Sequence, residues 1–189
     1  MARRPREFAA GVYHVAAHGS SHRRIFLDDS DRRSFLDLLN IVWAQLGLEL
    51  ISYVLMTNHY HSLTWIPDKR LSTALKMLHG QYSARHNKRH RDSAHLFRAH
   101  CFARRLGDDG DLLSSEHYLA HNPVKAGIVL KPVDWPMGEH THPRRTGSVH
   151  RASPRAEAVR SAGRPSELAR AIRGAHRRRR GAVLVPTDH

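Results

Sequence analysis

Seven elements read off the chain, in the order β-α-β-β-α-β-α, predict an α+β fold of the ferredoxin-like, split βαβ type. In that plan a four-stranded antiparallel sheet carries helices on one face and leaves the other open, where the third helix can lie. Two further observations support it. Only Thr57 and Asn58 separate the two middle strands, a span short enough for an antiparallel hairpin. The 189 residues, 40% of them apolar, are enough for one domain with a proper core and a tail.

The first strand, Gly11 to Ala16, is rich in β-branched and aromatic residues. A polar segment with Gly19, Ser20 and Ser21 follows, and Asp28 to Ser30 are residues that start helices. Phe35, Leu39, Val42 and Leu46 then fall at i, i+4, i+7 and i+11, an amphipathic helix closed by Gly47. Leu50 to Met56 and His59 to Ile66 are the hairpin strands, and Pro67-Asp68 ends the second. Leu71, Leu75, Leu78 and Tyr82 mark another helix, which fades into the charged segment Asn87 to Asp92. A fourth strand is expected within Leu96 to Leu106, punctuated by Gly107 to Gly110. The last helix is predicted over Leu112 to Asn122, because Pro123 disfavours helical geometry at the residue before it.

The formal net charge is +14, and residues 141–189 carry 12 arginines against 3 acidic residues. The chain therefore divides into a mildly basic domain, residues 1–140, and an arginine-rich tail, residues 141–189. A helix is possible there from Ser166 to His176, but the tail is expected to be loosely ordered when free. This balance favours a polyanion, most simply nucleic acid. With Cys101 alone, no disulfide forms within the chain, which fits a reducing cytoplasm. No signal peptide and no membrane span are read.

Two short stretches carry chemistry. His59 and His61 alternate with Tyr60 on a predicted strand, so both imidazoles point the same way and can chelate a divalent ion. Alone this says little, since a chain with 17 histidines has about one or two His-x-His pairs by chance, and His140-Thr141-His142 is a second. Tyr118 and Asn122 lie four apart on the last helix and share a face. If that helix crosses the open sheet face, His59, His61 and the Asn122 oxygen would hold Mg²⁺ or Mn²⁺ beside a phosphate. Tyr118 would then attack, leaving a covalent phosphotyrosine and a free 3′-hydroxyl. A phenol ionises near ~10 in water, so an attacking tyrosine must pass its proton to a base. His117 and His121 flank it.

Three blocks resemble the single-tyrosine transposases of the HUH endonuclease superfamily, which include the REP-associated tyrosine transposases. They are Gly11-Val12-Tyr13-His14-Val15 with Ile25-Phe26-Leu27-Asp28-Asp29, then Val54-Leu55-Met56-Thr57-Asn58-His59-Tyr60-His61, then Tyr118 to Val129 around Asn122-Pro123-Val124-Lys125-Ala126-Gly127. They occur in order over roughly residues 9–135. The resemblance implies the same ferredoxin-like fold, Tyr118 as nucleophile, and His59, His61 and Asn122 as ligands of Mg²⁺ or Mn²⁺. It also implies a single-stranded, hairpin-bearing DNA partner, and either a monomer or a homodimer. The chain departs from the pattern at His18, Ser20, Ser21 and His22, at His100-Cys101 and at Met137-Gly138-Glu139, none of which removes a catalytic group.

For DNA, Arg23, Arg24, Arg98, Arg104 and Arg105 are candidate phosphate contacts, and Phe97, Phe102 and Trp65 candidate stacking surfaces, with Trp65 more naturally a core residue. A non-enzymatic nucleic-acid binder on the same fold is the main alternative reading. A zinc-binding protein is a weaker one, since Cys101 stands alone and the histidines lack zinc-finger spacing.

Overall fold

The computed structural model describes residues 8–139; the tail and its candidate helix lie outside the described residues. The elements are β1 (Gly11–His18), α1 (Asp29–Leu46), β2 (Glu49–Leu55), β3 (His59–Ile66), α2 (Leu71–His90), β4 (Phe102–Arg105), α3 (Asp109–Lys125) and β5 (Gly138–Glu139). The sheet runs β4-β1-β3-β2-β5, with every neighbouring pair antiparallel. Its first four strands follow the split βαβ order expected from the sequence. The fifth was not expected. It pairs only Gly138 and Glu139 with Val54 and Tyr53, and the Leu55 amide donates to the Met137 carbonyl at 2.9 Å. Two residues carry too little pattern for a strand to be read.

Strand alternation separates the two faces of the sheet. Tyr60 and Thr64 face α1 and α2. The Phe35 ring lies 4.8 Å from Tyr60 and 5.1 Å from Tyr82, and the Trp43 indole donates to Thr64 Oγ1 at 3.2 Å. With Phe26, Leu38, Leu39, Val42, Leu78 and Ile66, all fully buried, these side chains form the main core. The odd-numbered residues of β3, among them His59 and His61, face the other way.

The two long helices keep their predicted signals. The Asp28 side chain accepts from the Asp31 amide, and Gly47 ends α1 at φ 71°, a conformation that favours glycine. α2 does not fade at Asn87; it continues to His90 and stops at Arg91 with φ 53°. Its buried stripe, Leu71, Leu75, Leu78 and Tyr82, extends one turn further to His86, a polar residue that hid it from an apolar periodicity.

α3 departs most from expectation. It starts at Asp109, where the Asp108 side chain accepts from the Asp111 amide at 2.8 Å, and it runs through Pro123 to Lys125 instead of stopping at Asn122. Proline lacks the amide that would bond the carbonyl one turn back, and the helix end leaves its last carbonyls free. Those are satisfied by a Schellman closure, in which Ile128 N donates to Pro123 O and Gly127 N to Val124 O, both at 2.9 Å, with Gly127 at φ 68°. Asn122 thereby stays inside the helix, fixed in the same turn geometry as Tyr118.

Candidate active site

β1 and β3 are antiparallel neighbours, and their register sets His18 opposite His59 and Ala16 opposite His61, with His14 two residues further along β1. All the histidines in this set face away from the helical layer. Their rings form a line: His14 to His61 at 5.2 Å between centroids, His61 to His59 at 5.1 Å, and His59 to His18 at 4.7 Å, the last pair stacked.

α3 lies over this line. The Tyr118 ring is 5.4 Å from His61 and 5.9 Å from His14, and the Asn122 side chain lies close enough to His59 to oppose the lowering of its pKa. Tyr118 is 40% exposed, whereas Asn122 is buried. The structure thus brings together all four residues expected to share a site. His117 and His121 do not join them. They stack on each other at 3.9 Å on an exposed part of the helix, and His121 Nδ1 donates to the His117 carbonyl.

A profile of the family described as Transposase IS200 like matches residues 9–122, from the strand of His14 through Asn122. This chain belongs to the IS200-like transposases. These are the single-tyrosine group of the HUH superfamily, as the two blocks around His59-Tyr60-His61 and Tyr118 implied. The transposase is also similar in structure to a REP-associated tyrosine transposase bound to a REP hairpin, at TM-score 0.63 and 16% identity, over 73% of this chain and 81% of that one. A candidate transposase from Deinococcus radiodurans matches at TM-score 0.45 and 16% identity, over 62% of this chain and 95% of that one. None of the functionally curated proteins compared with the chain matches it.

The transposase surrounds these imidazoles with conditions suited to ligation. Burial pushes His61 down to about 3, with the neighbouring His59, His14 and His18 adding to the effect. Burial and Arg104 push His14 down to about 4. His59 is lowered by burial and by His18 against the opposing influence of Asn122, and His18 is lowered by burial, Arg98 and His22. His59 and His61 are therefore neutral at physiological pH and keep a lone pair for a metal. Their other nitrogens are occupied. His59 Nδ1 donates to Asn58 Oδ1 at 2.7 Å, and His61 Nδ1 shares a hydrogen bond with His14 Nε2 at 3.0 Å. Such outer partners leave Nε2 of both rings facing the site.

His14 and His18 are residues that sequence reasoning left out of the site, and so is Lys125, whose ammonium lies 5.0 Å from the Tyr118 ring. The histidine spacing carried a signal, because positions four apart on a strand share a face. Reading it required β1 to continue to His18, two residues past the predicted end.

The candidate arginines separate into groups. Arg104 lies opposite His14 on the site face and pairs with Asp111 at 3.2 Å; Arg98 bonds His22 at 2.9 Å at the His18 end. Arg23 is paired with Asp92, Arg24 donates to the Leu27 carbonyl at 3.3 Å, and Arg105 donates to the Ala10 carbonyl at 2.9 Å from the opposite side of its strand. Phe102 is exposed on edge strand β4, with its ring 5.4 Å from His14. Phe97 is stacked on His79 at 4.1 Å, and Trp65 is buried.

Proposed function

We propose that this transposase cleaves and rejoins single-stranded DNA through Tyr118, acting on chromosomal DNA in the cytoplasm. The observation that carries the reading is the convergence of Tyr118 and Asn122, one helical turn apart, on two neutral imidazoles two strand positions apart. His59, His61 and Asn122 offer two imidazole nitrogens and a carboxamide oxygen, a donor set that fits a divalent cation such as Mg²⁺ or Mn²⁺. When bound, that ion supplies Lewis-acid polarisation of the scissile phosphate.

The chain's own residues do the rest. The Tyr118 oxygen attacks phosphorus while the bond to the 3′-oxygen breaks, so the 5′ side of the nick becomes a phosphotyrosine and the other strand leaves as a 3′-hydroxyl. The phenolic proton passes to water or a neighbouring base. Lys125 holds positive charge beside the ring where the phosphoryl group attaches. The covalent link conserves the phosphodiester's energy, so a second 3′-hydroxyl can displace the tyrosine and seal the strand without ATP. Arg98 and Arg104 stand at the two ends of the histidine line, where a strand crossing the site would present its phosphates. The exposed Phe102 ring offers a base a stacking surface. The hairpin carried by the REP-associated relative supports a hairpin-bearing substrate here too.

Incubation with end-labelled hairpin DNA and Mn²⁺ or Mg²⁺ tests this. A covalent protein–DNA adduct is expected from the native chain and none from Tyr118→Phe. An adduct that persists in Tyr118→Phe removes the nucleophile assignment. Binding without any adduct favours a DNA-binding protein on the same fold.

A further inference from the structure

On the helical face of the sheet, away from Tyr118, the buried stripe of α2 ends in a histidine. His86 is 3% exposed, and neither of its ring nitrogens makes a hydrogen bond. A buried polar group without a partner is destabilising, so such a ring calls for a ligand. One turn on, His90 brings its ring within 4.6 Å of that of His86. Its Nε2 lies 3.0 Å from each carboxylate oxygen of Asp31, on the first turn of α1. Asp31 is 3% exposed, and its Oδ2 also accepts from the Leu27 amide at 2.8 Å. One donor atom from each of Asp31, His86 and His90 lies within 4.8 Å of the other two.

Two imidazoles and a carboxylate form a set of intermediate softness, better matched to Zn²⁺ or Co²⁺ than to Mg²⁺ or Ca²⁺. The nearest positive charge is Arg89, which bonds both Asp31 and Asp28. Asp28 alone holds it through two bonds, at 2.9 and 2.6 Å, so Arg89 keeps a partner when Asp31 turns to a cation. Arg23 is already paired with Asp92.

We propose that Asp31, His86 and His90 form a second divalent-cation site, of zinc type, that ties the start of α1 to the end of α2. It is separate from the DNA-cleaving site and does not depend on the reading given for it. With three protein ligands, water completes a four-coordinate shell. The ion's role is to clamp the helical layer behind the sheet.

The test uses the full chain with His59→Gln and His61→Gln, stripped of metal by a chelator, so that the ligand pair under Tyr118 is removed. Zn²⁺ is expected to raise its melting temperature by about 5 °C or more at saturation. Adding His86→Gln should abolish that rise and lower bound Co²⁺, read from its visible absorption, by one ion per chain. His90→Asn should act alike and covers the case in which His86→Gln folds poorly. No Zn²⁺-dependent rise in the first variant, or an unchanged rise after His86→Gln or His90→Asn, overturns the proposal. In an otherwise native chain, His86→Gln should still form the Tyr118 adduct with Mn²⁺, which separates failure here from failure at the other site.

Discussion

Replacing His79 with leucine is expected to destabilise the fold at neutral pH and to lose much of that disadvantage in acid. His79 sits on α2, and its Nε2 shares a hydrogen bond of 2.9 Å with the hydroxyl of Tyr60, the residue between the two histidines of β3. Tyr60 is fully buried, so removing its partner strands a hydroxyl in the core, at about 1–3 kcal/mol. Burial lowers His79 from its ordinary 6.5 to about 4, because a charge there would lose its hydration. A lowered histidine stabilises the fold fully above pH 6.5, and that contribution is lost as pH falls towards 4. Each pH unit in that window corresponds to about 1.4 kcal/mol. Between pH 7.5 and 4.5 the native chain should therefore shed about 2–3 kcal/mol through this residue. His79 retains some exposure, which makes the figure an upper bound. The leucine variant sheds none of it. Urea denaturation of both proteins at the two pH values, in chelator, measures the gap between them. The gap should shrink by up to that amount on acidification; a gap equal at both pH values refutes the account of His79.

Asn122→Ala should lower Mn²⁺ affinity measured by calorimetry at least several-fold while leaving the far-UV spectrum unchanged; equal affinity would remove Asn122 from the ligand set. Gly19→Ala should destabilise by about 1–3 kcal/mol, because an added Cβ would overlap the Arg23 carbonyl oxygen, which is backbone and cannot swing away. A thermal melt within a degree of the native chain would contradict this. Deleting residues 144–189 should weaken binding to single-stranded DNA and flatten its dependence on salt, with cleavage surviving at low salt. Unchanged affinity and salt slope would leave the tail without a role in DNA binding.

Local pattern made most of the fold legible. α1 could be read because its apolar stripe and both caps lie within twenty contiguous residues, and the hairpin because Thr57-Asn58 interrupts two β-rich runs. The boundaries that failed depended on partners distant in sequence. β1 reaches His18 because His59 lies across from it, and β5 exists because Tyr53 and Val54 offer an otherwise open edge. α3 passes Pro123 because the chain after it closes on its own carbonyls through Gly127. His86 belongs to the buried stripe of α2, yet as a polar residue it breaks the apolar signal there.

The same division holds for function. The sequence by itself determined which groups are available: two histidines alternating on a strand, a tyrosine and an asparagine one helical turn apart, and a family pattern spanning all four. These properties are set by neighbours along the chain, through a period of two in strands and 3.6 in helices. Only the tertiary structure decided that α3 crosses the face bearing His59 and His61, that His14 and His18 extend those two into a line of four, and that Arg98 and Arg104, out of five candidate arginines, stand beside it. That choice rests on which elements pack together and in what register. Both are fixed by burying one face of each element against another, over separations in sequence that no local period encodes.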